Sequence, residues 1–342
     1  MAQNNVSPWI ENAAEAPVEM SARIRLARNI RHIPFPHMVR DGDALDEVLE
    51  KLGAAFDEYQ KVSMNMLKFE DKALLVEKHL ISPLFTRQGL HSYINEEESV
   101  SIMVNEEDHI RIQTMGAGIP IQDLYREAEA IDESLEDVVD YAFDENFGYL
   151  TACPTNVGTG MRASIMLHLP ALTLGRKIER LSGNLNRFGF TLRGIYGEGS
   201  VPLGQIYQLS NQLTLGQTEE EIIQNLDELK SQIIEEELEM RSRLQSEHLL
   251  EVKDSVHRSY GILKHAYKMS LKEAAKCLSD VKLGIDLGVL EQKNFKFQKW
   301  IQLIQPAFLK MRLNEQHKHY TSLEQAVDEE RATLMRELSG GK

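Results

Sequence analysis

Cysteine is nearly absent from this chain: Cys153 and Cys277 are the only two in 342 residues. Two thiols cannot make a disulfide framework or a cysteine-rich metal site, and they fit a reducing cytoplasm, where a thiol stays free. Long apolar runs are missing too. A stretch such as 164–174 is too short and too interrupted to span a bilayer. Residues 1–20, acidic and broken by Pro8 and Pro17, do not read as a signal peptide. Nor is there an excess of positive charge. The net charge of −15 argues against the basic surface of a nucleic-acid binder and favours encounter with basic partners, such as arginine-rich protein segments. The expectation is a cytoplasmic protein with no membrane and no direct nucleic-acid partner. What is present is an ordinary globular composition, 42% hydrophobic and 27% charged. The length leaves room for about two domains with cores of their own.

The rest of the chain is organised around Asn105-Glu106-Glu107-Asp108-His109-Ile110-Arg111. Read as a strand, it sends Ile110 and Ile112 to one face and Glu107, His109 and Arg111 to the other. That suits a site holding an anion at one end and a cation at the other; the alternative is a solvated edge strand of mixed charge. Upstream, Ser21-Ala22-Arg23-Ile24-Arg25-Leu26 in extended form puts Arg23 and Arg25 on one face. They repel there unless an anion lies between them, or the segment is a basic surface strand. His79, among Lys78, Leu80 and Ile81, is either a core or lid histidine or a ligand contact.

Cys153-Pro154-Thr155-Asn156-Val157-Gly158-Thr159-Gly160 is a turn enforced by proline and glycine. Its thiol, near hydroxyls and arginines, is a candidate stabilised thiolate; the other reading is a small buried hydrophobe. Gly158-Thr159-Gly160 lacks the third glycine of a dinucleotide fingerprint. In Arg193-Gly194-Ile195-Tyr196-Gly197-Glu198-Gly199-Ser200, glycines flank a carboxylate, as in a loop that carries Glu198 over a substrate or in a plain hairpin turn.

Residues 1–20 read as a loosely ordered lead-in. Apolar spacing predicts helices over 43–61, from 121 to about 146 and over 170–188, with a short element at 72–84. Strands are expected over 100–105, 110–114, 148–152, 190–193 and 207–211. Thr218-Glu219-Glu220-Glu221 has a capping-box pattern, and long helical stretches follow almost to the end, with a solvated Glu/Arg face at 235–243. The expected domains are therefore 21–245, mixed, and 246–342, all-helical.

Segments 21–29, 105–111, 153–164 and 193–198 together resemble the signature elements of the ATP:guanido phosphotransferases, the family of creatine and arginine kinases. The Cys-Pro-Thr-Asn stretch is the most specific of the four, and the resemblance covers roughly residues 15–245. It implies an α+β fold: a phosphagen-kinase-like catalytic domain, with an antiparallel sheet flanked by helices, followed here by an all-helical C-terminal domain. Within the family the chain is most similar to the bacterial branch that phosphorylates arginine side chains in proteins. It reaches its arginine motif by Arg23, without the helical N-terminal domain of the small-molecule kinases.

The resemblance implies ATP and Mg²⁺ as cofactors, with the metal held mainly by phosphate oxygens and water. Arg23, Arg25, Arg111, Arg162 and Arg193 would clamp the phosphates. Ser21, Ala22, Ile24 and His79 would lie near the nucleotide, His79 toward the base. Ala163, Ser164, Ile165 and Met166 would line the same pocket with Gly194, Ile195, Tyr196 and Gly197. Glu107 and Glu198 would hold the acceptor guanidinium and take its proton, with Cys153 at its far side. The implied partners are proteins with exposed arginines (a heat-shock repressor, misfolded chains), a Clp-type ATPase–protease and an activator protein. A homodimer or higher oligomer and a role in the bacterial stress response are also implied. A kinase of free arginine or another small guanidine, and a non-catalytic adaptor for a protease or repressor, are the competing readings. The branch's Arg-Asp-x-x-Arg-Ala motif, which binds phosphoarginine, corresponds here to Val327-Asp328-Glu329-Glu330-Arg331-Ala332, with valine in place of the first arginine.

Overall fold

A computed structural model of the chain describes residues 6–39, 43–194, 202–315 and 322–341. In chain order the strands are β1 (Glu19–Arg28), β2 (Gln60–Ser63), β3 (His91–Ile94), β4 (Val100–Val104), β5 (Ile110–Gly116), β6 (Phe143–Asp144), β7 (Gly148–Tyr149), β8 (Met161–His168), β9 (Phe190–Gly194) and β10 (Ile206–Asn211). Eight of them form one sheet in the order β2-β3-β4-β5-β1-β8-β10-β9, antiparallel at every pairing, while β6 and β7 make a separate small hairpin.

β1 lies at the centre of the sheet, and its alternation decides what each face does. Ala22, Ile24 and Leu26 point into the core, with Ile24 fully buried. Ile110 and Ile112 of β5 and Ala163, Ile165 and Leu167 of β8 join them there. Each such Ile or Leu contributes about 1.5–3 kcal/mol by leaving water. Helix Ile121–Glu136 covers this face with Leu124, Tyr125, Ala128 and Leu135, and helix Glu219–Glu247 covers it with Ile222, Ile223, Leu226 and Ile233. The capping box at Thr218 forms as expected: Thr218 Oγ1 accepts from the Glu221 amide at 3.2 Å, and Glu221 Oε2 from the Thr218 amide at 2.9 Å. The opposite face of the sheet is left for the site.

Several elements are shorter than their apolar spacing suggests. The helix expected over 43–61 stops at Leu52, a 3₁₀ turn Gly53–Phe56 follows, and Gln60 and Lys61 enter β2. The helix expected to reach about 146 ends at Glu136, because the next segment is drawn aside by Asn29 and Arg31. The Ala142 amide donates to Asn29 O at 2.7 Å and the Arg31 amide to Asp140 O at 2.8 Å. The 170–188 stretch is two helices, Pro170–Leu174 and Ile178–Arg187, broken at Gly175 and Arg176, where Arg176 has φ +54°. Of the strand expected over 148–152 only Gly148 and Tyr149 pair.

Two corrections concern charge and order. The 235–243 face is not simply solvated: Glu237 and Arg241 are buried and ion-paired at 2.7 Å. Glu237 accepts the Ala171 and Leu172 amides at the start of one helix, and Arg241 reaches Asp286 at 2.8 Å. The described residues before β1, 6–18, are not a loose lead-in either. Val6, Ser7 and Ile10 are buried, and Glu11 pairs with Lys299 at 2.6 Å.

The C-terminal helices, among them Leu249–His265, Leu271–Asp286, Phe297–Leu303, Pro306–Glu315 and Leu323–Ser339, share a second core around Leu278, Val281, Trp300, Ile304 and Met335. This core takes in Leu203 and Ile206 and packs against Met20 and Met166, so the helical part abuts one end of β1, β8 and β10. His168 at the end of β8 bonds to Ser279 Oγ at 2.7 Å. Val327 sits in this core, and Arg331 is bound up inside it, donating to Ile304 O at 2.9 Å, Met269 O at 2.8 Å and Asp328 at 2.6 Å. Among the described residues no helix is long and apolar enough to cross a membrane.

Candidate active site

The free face of the sheet carries the arginines, and strand register gathers them. Arg25 on β1 lies directly opposite Arg162 on β8, and Arg23 opposite Ser164. Arg111, two residues before the Gln113 that faces Arg25, projects from β5 on the same side. Arg193 faces Gln208, which faces Met166. Like charges this close, short of water, disfavour one another. Burial, Arg111 and Arg162 lower the Arg23 pKa to about 10, and burial, Arg23, Arg111 and Arg162 lower that of Arg25 well below its ordinary value. Arg162 is shifted down by burial and by Arg193. Guanidinium groups stay protonated in practice, so these shifts describe a strained cationic cluster that a polyanion would relieve.

A cleft of about 420 Å³ opens over this face, lined by Ser21, Ala22, Arg23, Arg25, His79, Arg111, Ser164 and Met166 among the residues expected there. That volume is within the range of a small-molecule site. Ile24, Ala163 and Ile165 are corrected: strand alternation turns their fully buried side chains into the core on the other face. Arg162 and Arg193 share the arginine face without lining the cleft. Gly194 ends β9, and Ile195, Tyr196, Gly197 and Glu198 lie outside the described residues.

His79 arrives by an unusual helix stop. Helix Phe69–Glu77 ends with His79 in left-handed backbone, φ +63°, where glycine is the usual residue. Lys78, buried and paired with Glu98 at 2.9 Å, and Gln113, whose Nε2 donates to His79 O at 2.7 Å, hold that turn. His79 is exposed and lines the cleft. Desolvation of its ring and the Arg23 charge lower its pKa to about 4, so it is neutral at pH 7.

The segment before Arg111 differs from the extended reading. β5 starts at Ile110, and 105–109 is a bend entered through Asn105 at φ +58°. His109 is therefore not displayed beside Glu107; it is buried. The Ile30 amide donates to its Nδ1 at 3.0 Å, which leaves Nε2–H to donate to Pro34 O at 3.0 Å. Glu106, missed in the sequence, is buried and pairs with Arg111 at 2.6 Å, while Ser82 Oγ donates to its other oxygen. Glu107 is half-exposed and 3.7 Å from Arg111, which lines the cleft. Burial and the neighbouring Asp108 raise its pKa, against the Arg111 charge.

Cys153 leads into the 3₁₀ turn Pro154–Asn156, its Sγ 3.0 Å from Thr155 Oγ1, and it is an electrostatic neighbour of Arg162. The turn needs its glycines. A Cβ on Gly158, at φ +116°, would fall 2.0 Å from Thr214 O, and one on Gly160, at φ +65°, 2.6 Å from Ala27 O. Cys277 is buried in a helix, and burial pushes its thiol up to about 11.

Sequence reasoning also missed the far wall of the cleft, which comes from Trp9 and from Ile301, Gln302 and Gln305 of the helical part. A glutamine within an otherwise apolar helix, as in Trp300-Ile301-Gln302-Leu303-Ile304, was the available signal.

Residues 42–240 match the family model of the ATP:guanido phosphotransferase C-terminal catalytic domain, and residues 250–339 that of the protein-arginine kinase McsB C-terminal domain. The chain is 46% identical over 334 residues to a protein-arginine kinase of Staphylococcus haemolyticus, covering 97% of each chain. It is 46% identical over 342 residues to that of Staphylococcus saprophyticus, covering 98% of this chain and 99% of the relative. Among solved structures it resembles a lombricine kinase, with TM-score 0.58, 24% identity and 71% and 72% of the two chains covered. It also resembles the duplicated taurocyamine kinase of Schistosoma mansoni bound to transition-state-analogue components, with TM-score 0.60, 21% identity and 75% and 40% covered. Those two likenesses concern the fold. By the match along nearly its whole length, the chain belongs to the ATP:guanido phosphotransferase family and, within it, to the protein-arginine kinases.

Proposed function

We propose that the chain transfers the γ-phosphoryl group of ATP to arginine side chains of proteins, with the cleft over β1, β5 and β8 as the nucleotide site. The observation that carries this is the face-to-face pair Arg25 and Arg162, with Arg23 and Arg111 beside them and Glu107 3.7 Å from Arg111. Arginines crowded on rigid strands clamp phosphates, and a carboxylate beyond them suits a guanidinium acceptor.

Phosphoryl transfer passes through a loose transition state, so catalysis rests on positioning and charge stabilisation. The arginine face supplies both. As the N–P bond forms and the bond from the γ-phosphorus to the leaving ADP oxygen breaks, the attacking nitrogen sheds a proton to a carboxylate. A guanidinium titrates far above neutral pH, so that proton cannot leave first. A carboxylate raised as Glu107 is takes it better than an ordinary one. Among the described residues no group of three or more His, Cys, Asp or Glu gathers to hold a metal. Resemblance to the family implies Mg²⁺ as the counter-ion of the nucleotide, ligated mainly by phosphate oxygens and water.

The stress-response role, the Clp-type and activator partners and self-association extend this proposal and rest on resemblance to the branch. The deciding experiment incubates the protein with radiolabelled ATP and either partly unfolded proteins or free arginine. The expected product is protein-bound phosphate that mild acid releases, with free arginine a much poorer acceptor. Efficient labelling of free arginine and of no protein would replace this reading with a small-molecule kinase. Glu107→Gln should lower turnover roughly 10²-fold while ATP still binds.

A further inference from the structure

The two ends of the cleft differ in chemistry. Arg25 lies at one end, with Arg162 facing it just outside the lining; four residues earlier on β1, Ser21 faces Met166, which faces Gln208 on β10. At about 3.3 Å per residue these ends lie roughly 13 Å apart. The arginine end suits phosphates. At the other end Met20 and Met166 pack against the C-terminal core that contains Ile206 and Ile301, an apolar slot at the distance where a nucleotide carries its base.

Gln302 forms part of the wall beside that slot and is only 5% exposed. Its Nε2 donates to the Glu77 carbonyl at 3.4 Å, whereas its Oε1 is buried without a hydrogen-bond partner among the described residues. Turning the amide over would set Oε1 against the Glu77 carbonyl oxygen, acceptor to acceptor, so the Glu77 contact fixes which end is left unpaired. A buried acceptor with no partner is uncommon in folded proteins.

Resting on the nucleotide site proposed above, we infer that Gln302 Oε1 accepts a hydrogen bond from the 6-amino group of the adenine base, so that the C-terminal helix Phe297–Leu303 reads the base. The chemistry is selective. A purine with oxygen at position 6 would set one acceptor against another, and a purine with nothing there would leave Oε1 unpaired. Sites built around such a bond reject ligands that lack it.

The test measures equilibrium binding of ATP and of purine riboside triphosphate, which lacks only the 6-amino group, to the full chain without any protein acceptor. Wild type should prefer ATP by about 10-fold or more. Gln302→Leu should bring ATP down to the affinity of the analogue and leave the analogue unchanged. Equal binding of both nucleotides by wild type would overturn the inference. So would a Gln302→Leu variant that weakens both alike, since that marks a purely structural residue. Because no acceptor is present, failure to phosphorylate proteins would leave this reading untouched and strike only the proposed function.

Discussion

Asp108 Oδ1 accepts the Ala152 amide at 2.7 Å, and this bond ties the bend that carries Glu107 to the loop that carries Cys153. The same oxygen accepts Asn29 Nδ2 at 2.6 Å, while Asn29 Oδ1 accepts the His109 amide at 2.9 Å. Asp108 is buried and does not line the cleft, so it acts by holding both segments in register.

Asp108→Ala should therefore separate positioning from binding. With the clamp gone, Glu107 and Cys153 lose their fixed spacing, and displacements of about 1 Å can cost 10²-fold in rate. The expected result is a kcat reduced roughly 10–10²-fold with ATP affinity close to wild type. A large rise in the KM for ATP with kcat intact would remove the positioning role.

How much of this was readable beforehand follows from which interactions are local. The strands β1, β4, β5 and β10 and the capping box at Thr218 announce themselves through alternation or a four-residue signal, and the structure has them. Arg23 and Arg25 share a face because they are two apart on one strand. The place of His109 was not legible, since its partners, Ile30 and Pro34, lie about 75–79 residues away and a left-handed Asn105 breaks the alternation. The same holds for Glu237 and Arg241. On a helix wheel they look solvated, and only Ala171, Leu172 and Asp286, brought in by tertiary packing, bury them.

Cys153 and Cys277 offer an internal comparison. Cys153 is partly accessible beside Thr155 and Arg162, and Cys277 is buried with its thiol raised to about 11. Only a thiolate alkylates readily, so a haloacetamide should modify Cys153 much faster than Cys277, and bound substrates should protect it. Cys153→Ser should lower activity while Cys277→Ser leaves it near wild type. Equal labelling of both thiols, unaffected by substrates, would count against a special place for Cys153.

Arg25 should show stability and function opposed. Its guanidinium, partly buried with Nε enclosed, is disfavoured by burial and by Arg23, Arg111 and Arg162, with Glu106 as the compensating charge. Replacing a poorly compensated buried ion with an apolar chain of similar length is often stabilising. Arg25→Met should raise the melting temperature of the unliganded protein, by about 2–4 °C per kcal/mol gained, and weaken ATP binding 10-fold or more. Saturating ATP should then reverse the order, because ligand binding adds stability only where affinity survives. A variant less stable than wild type without ATP would show that the arginine face is compensated from within the fold.

Glu77 joins the two parts of the chain. Its carboxylate accepts the Ala307 amide at 2.8 and 2.9 Å and the Phe308 amide at 3.3 Å, capping helix Pro306–Glu315 from the catalytic side. Burial nevertheless outweighs those bonds and raises its pKa to about 7. In the unfolded chain the same carboxyl titrates near its ordinary value of about 4.3. The native state thus holds a proton that the unfolded state has released between those values, and stability from this group must fall as pH rises through that window. Below about pH 4 the contribution is fully present, and above about pH 7 it is lost. Glu77→Gln keeps a carbonyl acceptor for Ala307 and removes the titration, so it should flatten this part of the profile and gain on wild type as pH rises. Denaturant melts of both proteins at pH 5 and pH 8 measure the difference. If the gap between them stays the same at both pH values, Glu77 titrates in its ordinary range and its link to the C-terminal helix is indifferent to pH.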